Sequence, residues 1–360
     1  MTDACYWLWL ACVLGPGAAH CRRLLDVYGS AREVFEAVGR EDLSGLLTPG
    51  QCARSDTDPA VFAPMEARCV RMGVQILTMA DRDYPRRLLD IEDAPPALFV
   101  TGNLSALNAE HTVGMIGSRR PSAYGVEAAA GIGKELAEAG VCLVSGLADG
   151  LDSEAHRAAV NADAPTIGVL GTPIDQTYPA ANRRLRAEME ETGAVISEFF
   201  PGEGAQRSNF LLRNRLIAAL SDALCVVEAR EKSGTMNTVG HAERYGRAVW
   251  AVPGGIFSEV CAGTNRLLAE GRARMATGGG ALLEALGLSA QSARPAAPHK
   301  AVPLTEAAAA MLGRLAQTPR PLEALAAETG FDVGKALAAL MELEVAGEAV
   351  SCAGGLFRRK

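Results

Sequence analysis

Six short loops of small or polar residues each stand between an apolar run and an amphipathic one. They are Gly117-Ser118-Arg119, Ser145-Gly146, Gly171-Thr172-Pro173, Ser197-Glu198, Ser233-Gly234-Thr235 and Pro253-Gly254-Gly255. A Gly-Ser or Ser-Gly-Thr turn at a strand end leaves backbone N–H groups unpaired. The helix opening from it adds about half a positive charge at its N-terminus. Such a turn holds anions, and Arg119 adds a full charge to the first one. The densest cationic stretch, Arg207, Ser208, Asn209, Phe210, Arg213, Asn214 and Arg215, follows the fourth loop. Arg207, Phe210, Arg213 and Asn214 fall at helical offsets of 3, 6 and 7 residues, near one face. Guanidinium groups beside an exposed ring hold a phosphate chain and stack bases. The competing reading puts Phe210 in the core and pairs the arginines with Glu198 or Glu228.

Other chemistries are poorly supplied. Asp152 and His156 lie four residues apart at a helix start, where Asp152 reads as an N-cap and the pair as a helix-face hydrogen bond. Acid–base work by that pair is the sharper alternative, but no Ser or Cys nucleophile has a helper nearby. The five His are scattered, with neither HxH nor HExxH, so no metal is expected. No GxxxxGK[ST] is present. The nine Cys form no CxxC, and two of them, Cys142 and Cys225, sit inside apolar runs; they read as reduced core thiols of a cytoplasmic protein. No catalytic residue and no cofactor is expected.

The elements that must position these loops follow from periodicity. Apolar runs at 113–116, 141–144, 166–170, 194–196, 223–227 and 248–252 alternate with helical segments at 124–139, 153–162, 180–192, 209–220, 235–245 and 264–271. Continuous apolar strands between amphipathic helices mean a parallel sheet covered on both faces, an α/β Rossmann-like doubly wound domain with ligands at the strands' carboxyl ends. Strand-like segments at 74–79 and 95–100 lead into it. The domain is therefore expected over 74–287. Residues 1–73 read as short helices, with Gly15-Pro16-Gly17 between the first two. That turn is either a phosphate-holding helix-hairpin-helix turn or a plain helical hairpin. Residues 288–303, rich in Ala, Pro and Ser, read as a linker. Residues 304–360 offer three helices, the second opening at Pro321, and a hairpin around Gly354-Gly355, as in a winged helix.

The bulk charge points away from a basic nucleic-acid coat: 35 Lys and Arg face 42 Asp and Glu, a formal net charge of −7. Only five of the basic residues are Lys, which suits planar bidentate phosphate contacts in a local slot. No apolar stretch is long enough to span a membrane, and the start, with Asp3 and no basic residues, does not read as a secretory leader.

The ordered set resembles the DNA-processing protein A (DprA/Smf) family. It includes Tyr84-Pro85 with Leu88, Pro95-Pro96, Gly102-Asn103, and Ile116-Gly117-Ser118-Arg119. It continues with Ser145-Gly146-Leu147-Ala148, Gly150, Asp152, Ala155 and His156, then Val169-Leu170-Gly171 with Asp175, Tyr178-Pro179 and Asn182. Ser197-Glu198, Asn209-Phe210 with Arg213-Asn214-Arg215 and Ile217, Val227-Glu228-Ala229, Lys232-Ser233-Gly234-Thr235, Val252-Pro253-Gly254 and Gly263-Thr264-Asn265 complete it. The spacing holds over about 76–287, and a SAM-like helical domain before it and a winged helix after it fit the same pattern. The resemblance implies a homodimeric, non-catalytic protein that binds single-stranded DNA, protects it and loads RecA onto it during natural transformation. It implies phosphate contacts from Gly117, Ser118 and Arg119, to which the small-residue loops themselves add Ser145, Gly146, Gly171, Ser233, Gly234 and Thr235 as candidates. The strand's path is lined by Arg207, Asn209, Phe210, Arg213 and Asn214. One departure stands out: the family's second loop reads Ser-Gly-x-Ala-Arg-Gly-Ile-Asp, and here Asp149 replaces that Arg, with Arg157 or Arg183 as candidate compensators. The rival is an enzyme hydrolysing nucleoside monophosphates with Glu228 as acid or base. Against it, Thr235 is followed three residues on by Thr238, not Glu.

Overall fold

Runs rich in Val, Ile, Leu and Cys become the strands of one nine-stranded sheet: β1 (Gln75–Thr78), β2 (Ala97–Gly102), β3 (Thr112–Ile116), β4 (Cys142–Ser145), β5 (Thr166–Val169), β6 (Ala194–Ser197), β7 (Ala223–Val226), β8 (Ala248–Ala251) and β9 (Arg274–Met275). The structure, a computed structural model, describes residues 2–43, 45–288, 304–352 and 354–359. The chain divides into two units, residues 1–294 and 295–360. Apart from Leu288, the expected linker at 288–303 lies outside the described residues.

The strand order is β1–β2–β6–β5–β4–β3–β7–β8–β9, and every pair from β6 to β9 is parallel. Alternate residues feed the two faces. Val144, Ile167 and Val226 pack on one side, Leu143, Met115 and Cys225 on the other. The expected parallel sheet needs one correction, because β2 runs antiparallel to both β1 and β6. Between β1 and β2 there is only the one-turn helix Arg86–Leu89, and Tyr84 Oη donates to Pro95 O (2.6 Å) to close the loop. A return without a crossover helix gives an antiparallel neighbour.

Helices Ala123–Glu138, Leu151–Asn161, Arg183–Thr192, Arg207–Ala219, Gly234–Arg244 and Ala262–Ala269 cover the sheet, within two residues of the expected starts once the short turn Ala180–Asn182 is joined to the third. The helices of the N-terminal segment, Asp3–Leu14 through Ala63–Arg71, share one core with it. Trp9, Leu10 and Leu24 cluster with Phe99, Leu170 and Val195. At the Gly15-Pro16-Gly17 turn, Gly17 abuts Leu212 and Arg215 of the helix Arg207–Ala219. Arg54 and Gln51 cover the preceding carbonyls of Val13 and Leu14.

In the second unit, helices Glu306–Leu312, Leu322–Thr329 and Val333–Val345 enclose Met311, Leu325, Leu340 and Phe357. The hairpin Ala349–Cys352 with Leu356–Arg359 adds a third short strand, Arg320–Pro321. This is the expected winged helix, except that Pro321 caps its helix rather than opening it.

Beneath the first unit's sheet edge, Arg215 makes two 2.7 Å bonds to the Glu198 carboxylate, and both side chains are almost wholly buried. Removing Glu198 leaves buried Arg215 with only the longer contact to Asp93 (3.7 Å), an under-compensated charge. We expect Glu198→Ala to lower stability by about 3–5 kcal/mol in urea unfolding. The double change Glu198→Leu with Arg215→Met should cost less than that single one, and equal or greater loss in the double would refute the argument.

Candidate functional site

From β3 the chain winds outward in both directions, through β4, β5 and β6 on one side and β7, β8 and β9 on the other. The loops after β3 and β7 therefore part at their shared edge, the place where open α/β sheets take ligands. Three loops are stitched together there. Ser118 O accepts from Leu151 N (3.1 Å), Thr235 Oγ1 donates to Gly117 O (3.3 Å), and Ser118 Oγ accepts from Arg120 N (3.1 Å). Ser233 precedes the helix Gly234–Arg244 but makes no side-chain cap; its Oγ donates instead to Arg230 O (3.0 Å). The first N–H groups of that helix stay open to an anion.

Phe210 is only partly buried, and its ring lies on Gly171, where a Cβ would come within 2.7 Å of it. The Arg119 guanidinium sits 5.5 Å from the ring centroid, and the Tyr178 ring stands 5.5 Å away at 60°. Arg119 is exposed and Tyr178 is 56% exposed. Cation–π and tilted ring contacts thus assemble a partly open stack at the strand edge. Tyr178 joins this candidate site by its ring contact, although the sequence marks it only as part of the family pattern. Its position in the loop after β5, beside Gly171, was the available signal.

Arg207 and Asn209 lie in the first turn of the helix Arg207–Ala219, with Arg207 exposed. Two other expected path residues point elsewhere. Arg213 is 3% exposed, and its Nη1 donates to Gly146 O (2.7 Å) and to Val169 O. It lies more than a turn below the helix start, so it braces the loops after β4 and β5. A Cβ on Gly146 would overlap its guanidinium. Burial, with Arg119 nearby, holds Arg213 down to about 10. Asn214 is also buried, and its amide donates to Gly234 O (3.3 Å) and Asn237 Oδ1 (3.2 Å). Arg215 pairs with Glu198, as the competing reading of this stretch expected, although Phe210 is not core.

Among the described residues, the cations Arg119, Arg120, Arg183, Arg207 and Lys232 around this edge pair with no carboxylate, whereas Arg68, Arg87, Arg157, Arg184 and Arg186 all do. Asp149 is exposed beside them. Of its two candidate compensators, Arg157 is taken by Glu154. Arg183 is free and follows Asn182, whose amide donates to Leu147 O (3.0 Å) and Ser153 Oγ (2.9 Å) in the same loop region.

The Asp152–His156 pair is structural. Gly150, not Asp152, caps the helix; Asp152 Oδ2 accepts from Gly146 N (3.2 Å). His156 is fully buried. Its Nε2 accepts from Leu147 N (3.3 Å), which leaves Nδ1 to donate to Thr166 Oγ1 (2.8 Å). Glu228 is likewise fully buried, and its two oxygens take the N–H (3.0 Å) and hydroxyl of Ser122. Among the described residues no group of three or more His, Cys, Asp or Glu could hold a metal ion, and no helix is long and apolar enough to cross a membrane.

Residues 75–287 match the family described as DNA recombination-mediator protein A, and residues 295–355 match the DprA winged helix domain. Protein Smf of Synechocystis is 30% identical over 96% of this chain and 96% of its own length. A putative DNA processing protein DprA of Mycobacterium tuberculosis is 32% identical over 98% of this chain and 93% of its own. Among solved structures, DNA processing protein A of Streptococcus pneumoniae superposes with a TM-score of 0.63 at 32% identity, covering 79% of this chain and 98% of that one. The Helicobacter pylori protein, whose structure is described as showing a unique single-stranded DNA binding mode, gives 0.54 at 30% identity, covering 59% and 95%.

Burial, with Arg213 nearby, drives His156 from 6.5 down to about 3, so it is neutral when folded while the unfolded chain protonates it below about 6.5. Its contribution to stability is complete above 6.5 and is lost as the pH falls from there toward 3. Between pH 7.5 and 5 the protein should lose about 2 kcal/mol more than His156→Gln does, read from urea unfolding at the two pH values. Equal losses would mean His156 is not held neutral.

Proposed function

The chain belongs to the DNA recombination-mediator protein A family, and on that premise we propose that it binds single-stranded DNA at the edge between β3 and β7, as a binding protein rather than an enzyme. The observation that carries the reading is the Arg119–Phe210–Tyr178 stack standing near the uncapped start of the helix Gly234–Arg244. Gly117, Ser118, Arg119, Ser233, Gly234 and Thr235 hold phosphates. Phe210 and Tyr178 take base faces, and Arg207, Asn209 and Arg183 guide the backbone. Ser145, Gly146, Gly171, Arg213 and Asn214 support these groups from behind. The family resemblance extends the reading: a homodimer in the cytoplasm that protects incoming single strands and loads RecA onto them during transformation.

Nucleotide hydrolysis is the weaker reading. Glu228, the acid or base it would use, is sealed against Ser122, away from solvent. A duplex-reading role for the winged helix is weaker as well. Its helix Val333–Val345 carries one cation, Lys335, while Val333, Leu337 and Met341 are exposed, and a groove-reading helix should be basic.

The test is a fluorescence titration with single-stranded oligonucleotide, duplex and mononucleotide at several salt concentrations. Single strand should bind best, with a log–log salt slope of about −0.7 per phosphate contact. Arg119→Ala should flatten that slope by about 0.7. Phe210→Ala should weaken binding by about 1–3 kcal/mol and leave the slope in place. Unchanged affinity in both variants would show the site to be misplaced. Deleting 290–360 should spare single-strand binding; its loss would transfer the function to the winged helix.

A further inference from the structure

The helix Gly234–Arg244, whose uncapped start forms the anion turn of the site, carries two polar residues that the site itself does not use, Asn237 and His241. They lie one turn apart on the side facing the helix Arg207–Ala219, and a chain of hydrogen bonds joins them to it. Asn214 Nδ2 donates to Gly234 O (3.3 Å), the first carbonyl of the helix, and to Asn237 Oδ1 (3.2 Å). With its oxygen so engaged, Asn237 presents its nitrogen to His241 Nε2 (3.4 Å). An amide nitrogen has no lone pair to give, so Nε2 must be the acceptor and His241 must be neutral with its proton on Nδ1.

We propose that Asn214, Asn237 and His241 form a positioning relay that fixes the Ser233-Gly234-Thr235 turn, so that the protonation of His241 sets how well that turn holds a phosphate. The inference rests on the single-strand reading of this site. A proton on Nε2 would face the Asn237 amide with a second donor. The amide must then swing away or turn over, and turning over withdraws the oxygen that Asn214 uses. Asn214 is left with Gly234 O alone, and the first turn of the helix loses its lateral tether.

The surroundings of His241 place the switch on the acid side. The Tyr245 ring stacks on it at 6.1 Å, Arg244 comes from its own helix, Arg215 from the helix Arg207–Ala219, and Asp93 from the segment before β2. Burial, reinforced by the two arginines and opposed by Asp93, holds His241 below 6.5. The relay is therefore closed at neutral pH and opens on acidification.

Two variants separate the relay from simple packing. His241→Gln keeps an acceptor and cannot titrate; His241→Leu removes the acceptor. Single-stranded oligonucleotide is titrated at pH 7.5 and 5.5, and amide exchange is followed over residues 233–238 at pH 7.5. We expect His241→Leu to bind about threefold more weakly at pH 7.5, with faster exchange in that segment, and His241→Gln to match the unaltered protein. From pH 7.5 to 5.5 the unaltered protein should lose about threefold more affinity than His241→Gln. If the unaltered protein binds but His241→Leu changes neither affinity nor exchange, the relay is overturned. If exchange responds as expected while no variant binds single strands at either pH, the relay stands and the function assigned to the site falls.

Discussion

The burial of two arginines on one helix governs the rest of the site. Arg213 and Arg215 both turn inward from the helix Arg207–Ala219, one onto the carbonyls of Gly146 and Val169, the other onto Glu198. A buried guanidinium is costly to separate from the partners it has, so these bonds leave the helix little freedom to slide or roll, even though Nε of each arginine lacks a hydrogen-bond partner. Its first turn, with Arg207 and Phe210, is thereby held over the strand ends. The small residues nearby follow from the same requirement. Gly146 leaves room for the Arg213 guanidinium and Gly171 for the Phe210 ring, so these glycines are needed for close approach rather than for ligand contact.

The acidic balance of the chain also finds its place. Across much of the surface, arginines are matched by carboxylates, often one helical turn away as in Arg184–Glu188 and Arg186–Glu190. Around the loops after β3, β5 and β7 the matching thins: among the described residues Arg119, Arg183, Arg207 and Lys232 pair with no carboxylate, while Arg230 meets Glu259 and Asp175 meets Arg68. A net charge of −7 is therefore compatible with a local positive field, confined within about a Debye length of one edge. Asp149, exposed in the loop after β4, weakens that field where it stands.

Much of this was legible in the sequence because it depends on local pattern. Apolar runs of four or five residues between amphipathic stretches gave the strands, and the small-residue turns fell at their carboxyl ends. What the pattern did not reveal is depth. Arg207 and Arg213 lie roughly on one side of a helix, but six residues of rise separate them by about 9 Å, enough to carry Arg213 under the loops it supports. Nor does helical spacing distinguish an arginine that offers its charge from one that uses it internally; partners more than 40 residues away decide that. The antiparallel entry of β2 was hidden for a similar reason, since strand direction is set by the connection and the segment 79–96 shows no clear crossover. Tyr178 was visible as a motif residue, while its role depends on meeting Phe210, 32 residues on, in the first turn of a helix.

The divergence of the chain from β3 has a consequence for how the protein comes into being. The residues that meet at the edge come from turns near positions 118, 146, 171, 178, 210 and 234, and no two adjacent segments suffice to build it. Contacts of such long sequence separation form late and together, after the loop-closure entropy of the intervening chain has been met. A growing chain emerging from the ribosome therefore carries no partial version of the crevice. It acquires the whole of it only when the helix that starts at Gly234 has emerged and docked beside Asn214.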